Sequence, residues 1–165
     1  MATLHFIYGL PGSGKTSLAR RLSIDLPATM FCEDEYLATY LAHRGRPVAD
    51  LADFLGALRE VRKVIEPLAL AALRTGSSVV FDFAGNTVAH RAWARSVAEA
   101  AGAAHLLHVL DVPLEECRRR VQGRNADKPA GLYFGDVSDA MFDMVVPHIV
   151  PPTAGEGMLV TSSAR

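Results

Sequence analysis

Leu4-His5-Phe6-Ile7-Tyr8-Gly9-Leu10-Pro11-Gly12-Ser13-Gly14-Lys15-Thr16 decides how this chain is read. Residues 4–8 form a short apolar run, the composition of a parallel strand buried on both faces. The run ends in glycines. From Thr16 to about Leu26 the pattern becomes helical, with Leu18 and Leu22 on one face and Pro27 beyond the end. Strand, glycine loop and helix in that order, with the spacing G-x-x-x-x-G-K-[ST], describe a cradle for a polyphosphate. Gly9, Gly12 and Gly14 let the backbone turn so that several N–H groups face one anion. The helix start adds aligned donors and its positive dipole end. Lys15 supplies a point charge to the β- and γ-phosphates, and the Thr16 hydroxyl is a magnesium ligand. Pro11, Ser13 and Ser17 complete the stretch expected to lie against a nucleotide.

Working outward, strands and helices alternate. Thr29-Met30-Phe31-Cys32 reads as a second strand, followed by the acidic cluster Glu33-Asp34-Glu35. A long helical pattern then places Leu51, Phe54, Leu55, Leu58, Val61 and Ile65 at three- and four-residue spacing. Pro67 is expected to kink or divide it, and Gly76 to stop it. Ser78 to Phe83 is the strongest internal strand, and Asn86 or Thr87 caps the helix that follows, which runs past Trp93 and Val97 to Gly102. His105 to Leu110 is a fourth strand. Pro113 opens a helix carrying Leu114, Cys117 and Val121 inward. Residues 123–135 read as a mobile loop, Ser138 as the cap of a short helix, and Met158 to Thr161 as a last strand. This alternation predicts one α/β sandwich around a mainly parallel sheet.

Bulk properties agree with one domain. A chain of 165 residues, half of them hydrophobic, builds one core and leaves little room for a second. The formal net charge of −1 gives no global field for nucleic acid. No apolar stretch approaches the ~20 residues of a membrane span, and the N-terminus lacks a signal-peptide pattern. Cys32 and Cys117 stand far apart and read as reduced, buried thiols, which predicts a cytoplasmic protein. The six histidines are scattered, and no pair reads as a metal ligand set.

Three sets of polar residues are candidates for chemistry. Asp34 follows the second strand, so it belongs on the sheet edge that carries the glycine loop. It could orient or deprotonate a substrate hydroxyl, or serve with its neighbours as the acidic start of a helix. Asp82 ends a buried strand, where a carboxylate reaches a magnesium-bound water or substrate, or forms a local turn with Gly85 and Asn86. Asn86 and Arg91 could bind substrate, or serve as cap and solvated helix face. Arg118, Arg119, Arg120 and Arg124 exceed what a basic helix end needs. Arg120 and Arg124 share a helical face if the helix survives Gly123, and guanidinium forks suit phosphate oxygens.

The glycine loop, Asp34-Glu35-Tyr36, the strand ending in Asp82, and Leu110-Asp111-Val112-Pro113-Leu114-Glu115-Glu116 recur in order in a known group. Together they resemble the small P-loop kinases, among them the 5′-polynucleotide kinase domain, chloramphenicol phosphotransferase, gluconate kinase and the zeta-type toxin kinases. The resemblance spans nearly the whole chain. It implies a P-loop NTPase three-layer α/β sandwich, 1–165 as a single kinase domain, strand order 2-3-1-4-5, and an arginine-bearing lid at roughly 118–136. It further implies that Asp34 acts on the substrate hydroxyl, Arg120 and Arg124 on the transferring phosphate, and Asp82 and Arg91 on the substrate side. The 5′-polynucleotide kinases commonly carry an arginine beside the catalytic acid. Here Glu33 and Tyr36-Leu37 flank that region, which with the low net charge argues against a nucleic-acid substrate. The expectation is an ATP- and Mg2+-dependent kinase acting on a small-molecule hydroxyl. The alternatives are a 5′-hydroxyl polynucleotide kinase and a nucleotide-dependent regulatory ATPase.

Overall fold

The strand β1 (Thr3–Tyr8) lies at the centre of the sheet in the computed structural model, which describes residues 1–162. The last three residues of the single-domain reading, 163–165, lie outside that part. Leu4, Phe6 and Ile7 are fully buried, Leu4 and Phe6 against one helical layer and Ile7 against the other. That two-sided burial is why the run carries no polar alternation. In chain order there follow α1 (Lys15–Asp25), β2 (Ala28–Cys32), α2 (Glu33–His43), α3 (Leu51–Arg74), β3 (Ser78–Asp82) and α4 (Val88–Ala100). They are succeeded by β4 (Ala104–Val109), α5 (Leu114–Asp127), α6 (Asp139–Val145) and β5 (Val160–Ser162).

The five strands are all parallel, in the order β2-β3-β1-β4-β5 that the resemblance implies. On one face Leu4, Phe6, Phe31, Val79, Phe81 and Leu107 pack against Ala57, Val61, Ile65, Ala69 and Leu73 of α3 and Ala94, Val97 and Ala98 of α4. On the other, Ile7 and Val80 meet Leu18 and Ala19 of α1. A smaller cluster of Cys117, Val121 and Phe142 joins α5 to α6. Because all strands run the same way, the ends of β1, β2 and β3 open on one edge, with Cys32 opposite Asp82.

Several expectations are corrected. α3 is one helix through Pro67, not two. The lost backbone donor and ring clash cost about 3 kcal/mol. The face Val61, Ile65, Ala69 and Leu73 continues across the proline and offsets that cost by burial. Leu55 is exposed, and the Leu51 side chain lies outside the described residues. Residues 123–127, expected in a mobile loop, instead extend α5 to Asp127, and Lys128 in the left-handed conformation ends it. The acidic cluster opens a separate helix, α2. Of the two residues expected to cap α4, Thr87 does so, its hydroxyl accepting from the His90 N–H.

Candidate functional site

Gly9 to Thr16 wrap around the top of β1 into α1. Gly12 and Gly14 have φ of +82° and +99°, where a side chain is strained. A Cβ on Gly12 would also collide with the Cys117 carbonyl, so α5 packs directly behind the loop. The first turn of α1 carries no acid and no side-chain cap, which leaves its N–H groups free for an anion. Ser13 is fully buried, yet its Oγ has no hydrogen-bond partner. A buried hydroxyl without a partner is costly unless a ligand completes it.

The Lys15 ammonium bends over the loop and donates to the Gly9 and Leu10 carbonyls, both at 2.9 Å. Desolvation lowers its pKa to about 8, against the opposing pull of Asp82, Cys117 and Asp34. Asp82, at the end of β3, is buried; desolvation raises its pKa, while the neighbouring Thr16 hydroxyl and Cys32 thiol lower it. Thr16 and Asp82 line the same cavity. One hydroxyl and one carboxylate, with phosphate oxygens and water filling the remaining positions, is a donor set magnesium accepts. Among the described residues no group of three or more His, Cys, Asp or Glu forms a self-contained metal site.

Asp34 enters from the first turn of α2. Burial raises its pKa, and the nearby Asp82 and Glu33 carboxylates add to the effect. From the other side α5 contributes Arg119, Arg120 and Arg124. All of these groups line one cavity of about 600 Å3, bounded by Pro11, Gly12, Gly14, Lys15, Thr16, Ser17, Asp34, Asp82 and Asn86 among others. That volume is in the range of small-molecule sites. Because α5 persists through Gly123, Arg120 and Arg124 share a face. Arg120 also donates to Glu116 at 2.6 Å, whereas the Arg124 Nε is buried without a partner. Arg118 turns away and pairs with Asp139 and Asp143 of α6.

Two expected substrate residues also hold the backbone around the loop. The Asn86 Oδ1 accepts from the Gly9 N–H at 3.2 Å, fixing the start of the loop, although Asn86 also lines the cavity. Arg91 is corrected more sharply. It is completely buried, pairs with Glu156 at 2.5 Å and 2.8 Å, and donates to the Gly85 and Val150 carbonyls. It is not a wall of the cavity; it braces the Gly85-Asn86 turn from behind. Arg119 of the arginine cluster reaches the cavity, and Glu33 of the acidic cluster lines it while bound to Arg62 of α3 at 2.5 Å, a pairing the sequence did not show. Away from the site, His5 Nδ1 and His108 Nε2 share a buried hydrogen bond of 3.0 Å between β1 and β4.

Comparison with known proteins agrees with this fold. The family described as AAA domain matches residues 4–141. No curated protein matches the chain. Among solved structures, a candidate kinase from Chloroflexus aurantiacus is 18% identical, with 98% of this chain and 88% of that one covered at a TM-score of 0.69. Chaetomium thermophilum Kti12, solved with ADP-AlF3, is 15% identical over 96% of this chain and 88% of its own, with a TM-score of 0.68. A sugar kinase from Janibacter is 17% identical over 98% and 86%, with a TM-score of 0.60. At such identities the likeness speaks to fold. With a profile covering most of its length and this sheet order, the chain belongs to the AAA-domain family and has a P-loop kinase-like fold.

Proposed function

We propose that this protein is an ATP- and Mg2+-dependent kinase that transfers the γ-phosphoryl group to a hydroxyl of a small molecule. The observation that carries this reading is Asp34, a carboxylate with a raised pKa, in the same cavity as Lys15 and Thr16. A bare nucleotide-binding site has no use for it, whereas an acceptor hydroxyl needs a base at that place. The Kti12 likeness supports nucleotide use, and the sugar kinase likeness supports an alcohol acceptor. The buried free thiols Cys32 and Cys117 fit a reducing compartment such as the cytoplasm.

In this reading Gly9, Pro11, Gly12, Ser13, Gly14, Lys15, Thr16 and Ser17 form the cradle, and the triphosphate is held by the free N–H groups at the start of α1, the Lys15 ammonium and the hydroxyls of that first turn. Thr16 and Asp82 are the residues that would hold magnesium, which when bound neutralises phosphate charge and orients the phosphate oxygens. Asp34 accepts the proton of the attacking hydroxyl and holds its oxygen in line. Arg120 and Arg124 place positive charge on the transferring group, and the α5 end with the following segment to residue 136 acts as the lid that excludes water. The test is ADP release with a library of metabolites and antibiotics, followed by phosphate-transfer mapping on any hit. A stimulating alcohol whose effect disappears in Asp34→Asn supports the reading. ATP hydrolysis that no alcohol stimulates rejects it.

A further inference from the structure

Beyond the loop, the cavity's charges are divided. The cations Lys15, Arg119, Arg120 and Arg124 belong to the loop and α5, where a polyphosphate would sit; Arg119 and Arg120 both pair with Glu116, and Asp127 of the same helix also lines the cavity. The end formed by α2 and the turn after β3 carries the carboxylates Glu33, Asp34 and Asp82, with Phe83 and Ala84 beside them. Behind Glu33 lies Arg62, and it is committed. Its Nε donates to Glu33 Oε1 at 2.5 Å, and its guanidinium lies 5.7 Å from the Trp93 ring centre. Farther out, Arg44 and Arg46 both pair with Asp53, and Arg91 with Glu156. The His90 Nδ1–H donates to the Ala84 carbonyl, and burial keeps its pKa below the usual imidazole value, so it is neutral at pH 7.

We propose that the acceptor end of the cavity selects hydroxyl compounds that carry no anionic group, and that Glu33 sets this selectivity by holding Arg62. The inference rests on the kinase reading for the word acceptor, but the charge selectivity stands on the geometry alone. A phosphate, sulfate or carboxylate on the acceptor would face Glu33 and Asp34, with Arg62 already held by Glu33 and the arginines of α5 engaged by the polyphosphate. Glu33 and Asp34 are hydrogen-bond acceptors, so the matching compound offers donors: a second hydroxyl, or an amine, beside the reactive hydroxyl. The Glu33–Arg62 pair is thus a specificity determinant, and its removal converts the end of the cavity from anion-excluding to anion-accepting.

Trp93 is the chain's single tryptophan and lies against Arg62, so its fluorescence reports on that guanidinium. Sodium sulfate is titrated, at constant ionic strength, into protein saturated with magnesium and the non-hydrolysable ATP analogue AMPPNP. The wild type should show no saturable change, Glu33→Gln should show one, and Glu33→Gln/Arg62→Gln should lose it again. A saturable change in the wild type, or none in a Glu33→Gln protein folded by circular dichroism, overturns the proposal. Should Glu33→Gln fail to fold, the wild-type titration stands beside a second arm: ADP release with alcohols supplied in pairs, with and without a phosphate, sulfate or carboxylate. The non-anionic member should lead by on the order of 100-fold in kcat/KM; preference for the anionic member overturns the proposal. If no alcohol stimulates release, the kinase reading fails, while the sulfate titration still decides the charge selectivity.

Discussion

The Lys15 ammonium is enclosed by its own loop, donating to two carbonyls that a bound phosphate would replace as partners. Lys15→Ala should abolish nucleotide binding by calorimetry while leaving the circular dichroism spectrum unchanged. Its pKa of about 8 in the free protein adds a pH signature. Only the protonated form binds, so nucleotide affinity should fall as pH rises through 8, by up to ~10-fold per unit. Affinity that stays flat from pH 7 to 9.5 would contradict this. Asp34 gives the opposite limb. Its pKa is raised by burial and by Asp82 and Glu33, and the base must be ionised. The acid limb of kcat/KM, which reports the free enzyme, should therefore lie above the ordinary aspartate range. Asp34→Asn should keep nucleotide affinity and lower kcat by ~100-fold or more. Gly12→Ala should fail differently: its Cβ meets the Cys117 carbonyl at a positive φ, so both Tm and nucleotide affinity should drop.

At the scale of elements, α5 sets the arginines. Arg124→Ala removes a guanidinium whose Nε is buried without a partner, whereas Arg120→Ala removes one already shared with Glu116. Arg124→Ala should therefore cost more in kcat, measured with saturating nucleotide and acceptor. The pairing of β1 with β4 carries its own signature through His5 and His108. Burial lowers the pKa of His5 and takes His108 to about 4, with neighbouring His5 adding to the shift. An unfolded histidine takes up a proton near 6.5, so between about 6.5 and 4 the unfolded chain binds more protons and stability falls as pH falls. Wild-type Tm should drop over that window relative to His5→Leu/His108→Leu, with ~2–4 °C for each kcal/mol lost. Parallel slopes in the two proteins would remove the histidine assignment.

Elements with a local cause were legible in the chain. The glycine loop was readable because each residue type answers to its own backbone angle or charge, and β1 because two-sided burial leaves a plain apolar run. The partners that correct Arg91 and define Glu33 stand 65 and 29 residues away, distances at which no periodicity operates. α2 was obscured because its opening is acidic, so it reads first as a cluster of candidate bases. The persistence of α5 through Gly123 follows from packing: Val121 and Cys117 are anchored against Phe142, a contact that only the fold supplies.

For the molecule as a whole, one edge of a parallel sheet gathers the loop after β1, the acid after β2 and the acid ending β3, with α5 opposite. Everything functional follows from that gathering, and the phosphate cradle comes first in it. The direct measurement is calorimetric titration of the protein with Mg-ATP at pH 7.5, wild type beside Lys15→Ala. The account predicts one saturable site per chain in the wild type and no heat in the variant. A wild type that binds no nucleotide, or a variant that binds it equally well, would contradict it.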